Sequence, residues 1–178
     1  DWKQKNFHEL ASFFSGTDMV ISGIRETGKP YEFKYGPELE KVPKAVPFQP
    51  ELLPEHGNPR YRLARWVTHS ENRAFARATV NRVWALMFGR PLVEPVDEIP
   101  LKNSLENPYP PGLETLADDF IIHKFDLQRL IRVIAATRVF GLDSKVPPDR
   151  APPTLEHEQH LASFALSRLR PEQVAGSI

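Results

Sequence analysis

The sequence predicts a mainly α protein: an irregular helical bundle with a small N-terminal β-hairpin and long proline-rich loops. Three observations carry this. From Asn58 onward, apolar residues recur at three- and four-residue spacing in successive stretches, the signature of helices with one buried face. Between residues 18 and 36 an alternation of period two takes its place. The 18 prolines gather mainly in the stretches between these elements, where they exclude regular helix.

Asn6 followed by Glu9 has the form of a capping box, and Phe7, Leu10, Ala11 and Phe14 keep helical spacing until Gly16. DMVISGI at 18–24 and YEFKYG at 31–36 then read as the two arms of a hairpin, turning near Gly28 and Pro30. From Pro37 to Pro59, six prolines and Gly57 predict an extended run over a surface. That run separates a lead-in, residues 1–57, from a helical domain, residues 58–178.

Asn58-Pro59 supplies a cap with proline at the first helical position. A long helix follows in ENRAFARATVNRVWALMFGRP (71–91), with Ser70 as its cap and Gly89 as its stop. After the acidic loop EPVDEIP, helices are predicted from about Gly112 (Leu113, Leu116, Ala117, Phe120, Ile121) and from Asp126 (Leu127, Leu130, Ile131, Ile134). Another is expected at 155–169, and Pro171-Glu172 opens a last one. A chain that runs from Asp1 to Ile178, inside that helix, is read as a piece of a larger protein truncated at its C-terminus.

Lysine plus arginine equals aspartate plus glutamate at 23 each, so no overall field draws the chain to nucleic acid. No apolar run reaches the length of a membrane-spanning helix. Locally the charge is lopsided. Residues 60–90 hold seven arginines against Glu71, and residues 91–119 hold seven acids against Lys102. Adjacent segments of opposite sign are expected to pair with each other. The absence of cysteine excludes disulfides, thiolate metal sites and covalently attached haem within these residues.

On the long helix Arg77, Asn81, Trp84 and Phe88 fall within about 60° of one another. Ala74, Ala78 and Ala85 make a small stripe that would let a neighbouring backbone come close, and no side reads as a plain solvent face. A buried guanidinium keeps its charge and needs a carboxylate or carbonyls. Two readings stand. Arg77, Asn81 and Arg82 either pin the acidic loop, with Asp97 and Glu98 as partners, or line a pocket for an anionic or sugar-like ligand. Arg138 poses the same question if its helix runs that far, since it would sit about 20° from Leu127 on the apolar face.

Candidate chemistry is sparse. Asp97 and Glu98 are the weak catalytic candidates as an acid–base pair, although such pairs are defined by spatial separation. His157 and His160 stand at i and i+3, where a zincin helix needs i+4, and no metal site is assigned. There is no nucleophile elbow and no glycine-rich phosphate loop.

The segment from Asn58 to Phe140 resembles a known family, the C-terminal one of the paired domains of unknown function in large secreted planctomycete proteins. Arg62, Leu63, Ala64 and Trp66 match its first motif. Phe75, Ala76, Arg77, Val80, Asn81, Arg82, Trp84, Phe88, Gly89, Leu92, Val93, Pro95, Asp97 and Glu98 match its second. Phe120, Phe125, Asp126, Leu127, Leu130, Ile131, Arg132, Ile134, Thr137, Arg138 and Phe140 follow a third, and Leu169 to Gln173 is similar to its tail. Pro91 replaces a family glycine, and NPYPPG at 107–112 lacks a family histidine, so chemistry that relied on that histidine would be absent here.

The resemblance implies context more than mechanism. It implies an extracytoplasmic protein, an upstream partner domain in the same chain, a cytochrome c domain with haem elsewhere in the protein, and an association with polysaccharide use. No cofactor is expected within this chain. The functions it leaves open are a helical interaction module and a catalytic or glycan-binding domain.

Overall fold

The computed structural model describes residues 3–101, 108–144, 154, 156–157, 160–164 and 175–176. The chain divides into two compact units, residues 1–72 and residues 73–178. The first holds α1 (Gln4–Ala11), β1 (Thr17–Val20), β2 (Gly23–Glu26), β3 (Glu32–Phe33), β4 (Glu40–Lys41) and α2 (Pro59–Val67). The second holds α3 (Arg73–Phe88), α4 (Pro111–Ile122) and α5 (Leu127–Ala135). A mainly α protein with small β parts is what the sequence predicts.

In the first unit several local expectations are corrected. Helix α1 begins two residues before Asn6, whose side chain lies inside the first turn and accepts from the Lys3 amide at 3.1 Å. The chain then tightens into a 3-10 turn over Ser12–Phe14. A 3-10 step advances more degrees per residue than an α step, so the face shifts. Phe13 becomes the buried ring, while Phe7 and Phe14 are exposed. The Ser12 hydroxyl secures the turn by donating to the Glu9 and Pro43 carbonyls.

The hairpin forms within the first β-like stretch and not between the two. Strand β1 pairs with β2 in an antiparallel register, Thr17 opposite Glu26 and Val20 opposite Gly23, with Ile21 and Ser22 as the turn. Strand β3 pairs with β4, from the proline-rich segment. Gly16, with φ at 73°, lets the chain close here, since a Cβ on it would stand 2.6 Å from the Lys29 amide nitrogen.

The proline-rich segment does more than run over a surface. It contains a 3-10 turn at Pro50–Leu52, and it buries Val42 and Val46. Val46 joins Phe13, Leu63 and Trp66 in the core of this unit, with Phe48 against the Trp66 ring at 4.9 Å. The Trp66 indole donates to the Gln49 carbonyl at 3.2 Å, and the Arg62 Nε donates to the Pro54 carbonyl at 2.5 Å. Asn58 caps α2 by accepting from the Tyr61 amide at 2.8 Å.

In the second unit α3 begins at Arg73, later than a Ser70 cap would have it, and ends at Phe88. Gly89 stops it in the left-handed region with φ at 76°, its amide bonded to the Ala85 carbonyl. Helix α3 packs on α4 and α5 around Ala76, Val80, Val83, Trp84, Leu113, Leu116, Ala117, Phe120, Leu130 and Ile134. The helix is not surrounded: Ala78, Arg82 and Leu86 give it an exposed edge. Asp126 caps α5 by accepting from the Arg129 amide at 3.0 Å. Of the helix expected at 155–169, Glu156 and His157 are helical, but residues 160–164 run through a turn and a bend, with Leu161 in the left-handed region at φ 52°, which breaks the expected run. The rest of it, and nearly all of the segment after Pro171, lies outside the described residues.

Candidate functional site

Helix α3 and the loop after it set the geometry. Asn81 is fully buried. Its Nδ2 donates to the Val93 carbonyl at 2.9 Å and to the Val96 carbonyl at 3.3 Å, while its Oδ1 accepts from the Val93 amide at 2.9 Å. One side chain thus replaces the hydrogen-bond partners that an irregular loop cannot find in itself. Trp84, one turn on, is buried and stacks on Phe88 with ring centroids 4.2 Å apart.

Arg77 stands largely buried, with 13% of its side chain exposed. The acid opposite it is Glu114 of α4, not Asp97 or Glu98. Its Nε donates to Glu114 Oε1 at 2.6 Å, and Nη1 reaches the Leu101 carbonyl at 3.3 Å. The guanidinium also lies 4.7 Å from the centroid of the Tyr109 ring. Arg73, one turn earlier, donates to the other Glu114 oxygen at 2.7 Å and meets Asp118 at 2.6 Å. The sequence reading missed Glu114, Asp118 and Arg73 in this role. Their signal was available as matched spacing, since arginines four apart on one helix meet acids four apart on the next.

Burial pushes the Glu114 carboxyl upward, but the hydrogen bonds and charges of Arg77 and Arg73 outweigh it and hold the group below the usual carboxylate range. The arginine at position 73 is correspondingly held charged, chiefly by Asp118. Burial raises the Tyr109 phenol, which stays protonated and donates to the Pro100 carbonyl.

Arg82 and Asp97 form an ion pair on the exposed edge, and Glu98 is exposed beside it. Arg90 reaches Glu94 at 2.8 Å. Four arginines of the basic segment, 73, 77, 82 and 90, therefore meet acids of the segment that follows. Arg138 behaves differently. Helix α5 stops at Ala135, so the helical position that would have put Arg138 on the apolar face does not exist, and the residue is exposed.

Between α3 and the loop lies a cleft of about 180 Å³ lined by Ala74, Arg77, Ala78, Arg82, Asp97 and residues 99–101, among others. The small alanine side chains let the loop approach there and leave this gap. Arg77 there already holds protein oxygens, while Arg82 and Asp97 hold each other with more than half of each side chain exposed. Among the described residues no group of three or more His, Asp or Glu is placed to hold a metal ion, and no helix is long and apolar enough to cross a membrane.

The family described as PSD1, protein of unknown function (DUF1553), matches residues 59–178, about two thirds of the chain. The chain belongs to this family. The PSD1 match takes in α2 and all of the Arg73–Glu114, Asn81–Val93 and Arg82–Asp97 contacts, so the polar network described above lies wholly within it. No curated protein and no solved structure matches the chain. Chemically, the PSD1 network does what buried ion pairs and amides do in a core. It fixes the position of α4 and of the 93–101 loop relative to α3.

An exposed ion pair such as Arg82–Asp97 contributes about 1 kcal/mol or less. Replacing Asp97 with asparagine is therefore expected to shift the urea midpoint of unfolding only slightly. A loss several times larger would show that this pair carries more of the loop than its exposure implies.

Proposed function

We propose that this PSD1 chain is a non-catalytic helical module of a large extracytoplasmic multidomain protein, and that its work is to bind another domain. The β1–β2 hairpin carries this reading. Met19, Val20, Ile21 and Ile24 are all exposed, Met19 at 90%. Neither face of the hairpin is packed, and an isolated two-stranded hairpin is marginal in water. Apolar side chains held out on such an element are the composition of an interface. The resemblance to secreted planctomycete proteins supplies the setting, with the upstream domain of the same protein as the first partner and a cytochrome c domain as the second. Haem would belong to that other domain.

The test is made in the full-length parent protein, with Met19→Ser, Ile21→Ser and Ile24→Thr combined. Chemical cross-links between this hairpin and the upstream domain should disappear, while the unfolding of the isolated chain stays as it was. Cross-links that survive the triple substitution would sink the proposal.

A second reading, a glycan-binding or catalytic domain, has one observation in its favour: the cleft between Arg77 and Asp97 is real and Asp97 stands open to solvent. Its small size weighs against it. Small-molecule sites span roughly 300–1,000 Å³, and this one is about 180 Å³ with the largely buried Arg77 engaged by Glu114 and the Leu101 carbonyl. Under this reading Asp97→Asn abolishes glycan binding or hydrolysis; under ours it changes neither.

A further inference from the structure

Among the described residues, helix α5 carries a second exposed apolar surface, on a different unit from the hairpin. Leu130 and Ile134 face the core, but Leu127 and Ile131 are exposed at 47% and 43%, and Ala135 continues the line. These three stand at i, i+4 and i+8, a single straight ridge about 12 Å long. Cations flank it. Lys124 lies three residues before the ridge, Arg132 lies alongside it, and Arg138 lies three residues beyond, all exposed. Arg129 is paired with Asp119 at 2.8 Å, and Asp126 is used as the cap. Among the described residues Lys124, Arg132 and Arg138 have no carboxylate partner, in a domain where most other arginines do.

We propose that this ridge is a docking site for an acidic amphipathic helix of a partner protein. A row at four-residue spacing is the ridge that fits the groove of another helix. The three free cations call for carboxylates at both ends and along one edge of that partner's apolar stripe. A second copy of this chain fits poorly, since a two-fold contact centred on Ile131 would bring Arg132 against its own equivalent. A membrane surface fits poorly too, because the ridge is one side chain wide, whereas an interfacial helix buries a broad apolar face.

The experiment uses a fluorescently labelled synthetic peptide of about 16 residues, with leucines at four-residue spacing flanked by glutamates, long enough to hold a helix. A twin peptide with lysines for glutamates and vesicles of phosphatidylglycerol are the other arms. The whole chain should bind the glutamate peptide at low salt and its lysine twin about tenfold more weakly or worse. Arg132→Glu should invert that preference, Ile131→Asp should remove binding, and the hairpin triple variant should bind as the parent does. Equal binding of the two peptides, or binding untouched by both α5 substitutions, would overturn the proposal. So would preferential capture by the vesicles, or loss of binding in the hairpin variant. The hairpin variant thus separates failure here from failure of the reading under Proposed function.

Discussion

Replacing Asn81 with leucine is expected to lower the unfolding free energy by about 3 kcal/mol. Leucine fills much the same volume, so packing against Trp84 and Val80 is little disturbed. What is lost is three hydrogen bonds to a single loop, two to the Val93 amide and carbonyl and one to the Val96 carbonyl. A buried donor or acceptor left without a partner costs about 1–3 kcal/mol. Aspartate at the same place should be worse than leucine. It keeps an acceptor for the Val93 amide but sets a carboxylate, where the Nδ2 donor was, against two carbonyl oxygens. Urea unfolding of the three proteins, ranked asparagine, leucine, aspartate, checks this. An aspartate variant as stable as the parent would mean that the side chain faces water.

The Glu114→Gln substitution should cost about 2 kcal/mol at neutral pH, because it leaves the largely buried Arg77 guanidinium with a neutral partner. Its pH dependence is the sharper test. The Glu114 carboxyl is held below its unfolded value, so the pair contributes in full above the unfolded pKa near 4.3 and is lost as pH falls through the folded value. The gap in unfolding free energy between parent and variant should thus be constant from pH 7 to about 5 and close progressively at lower pH. Asp119, held low by its hydrogen bond from Arg129, adds acid sensitivity to both proteins alike and cancels in the difference. A gap that does not change with acid would remove Glu114 from the account.

Much of the helical structure was legible because its signals are local. Asn58-Pro59, Asp126 and Gly89 act within a few residues of themselves, and each stands where its cap chemistry puts it. Strand pairing was not legible. Alternation tells which side of a strand a residue faces but not which segment lies beside it, and Gly23, with φ at 121°, let the first stretch fold back on itself. Phe14 was misread because a helical wheel assumes one period, and the 3-10 turn at Ser12 broke it and buried Phe13 instead. The need of Arg77 for an acid was plain from its position; the identity of that acid was not. Asp97 and Glu98 were near in sequence, whereas Glu114 is brought in by the packing of α4 on α3. Arg138 failed for a simpler reason, since its place on the apolar face required a helix that ends at Ala135.

Asn81 of α3 locks the following loop to the helix through the Val93 and Val96 backbone. Amide hydrogen exchange at Val93 tests this lock most directly, because that amide's partner is Asn81 Oδ1 at 2.9 Å. The Val93 amide should be strongly protected in the parent chain and lose its protection by a factor of at least about ten in Asn81→Ala, while amides in the middle of α5 change less. Fast exchange at Val93 in the parent, or protection that survives Asn81→Ala, would contradict the lock.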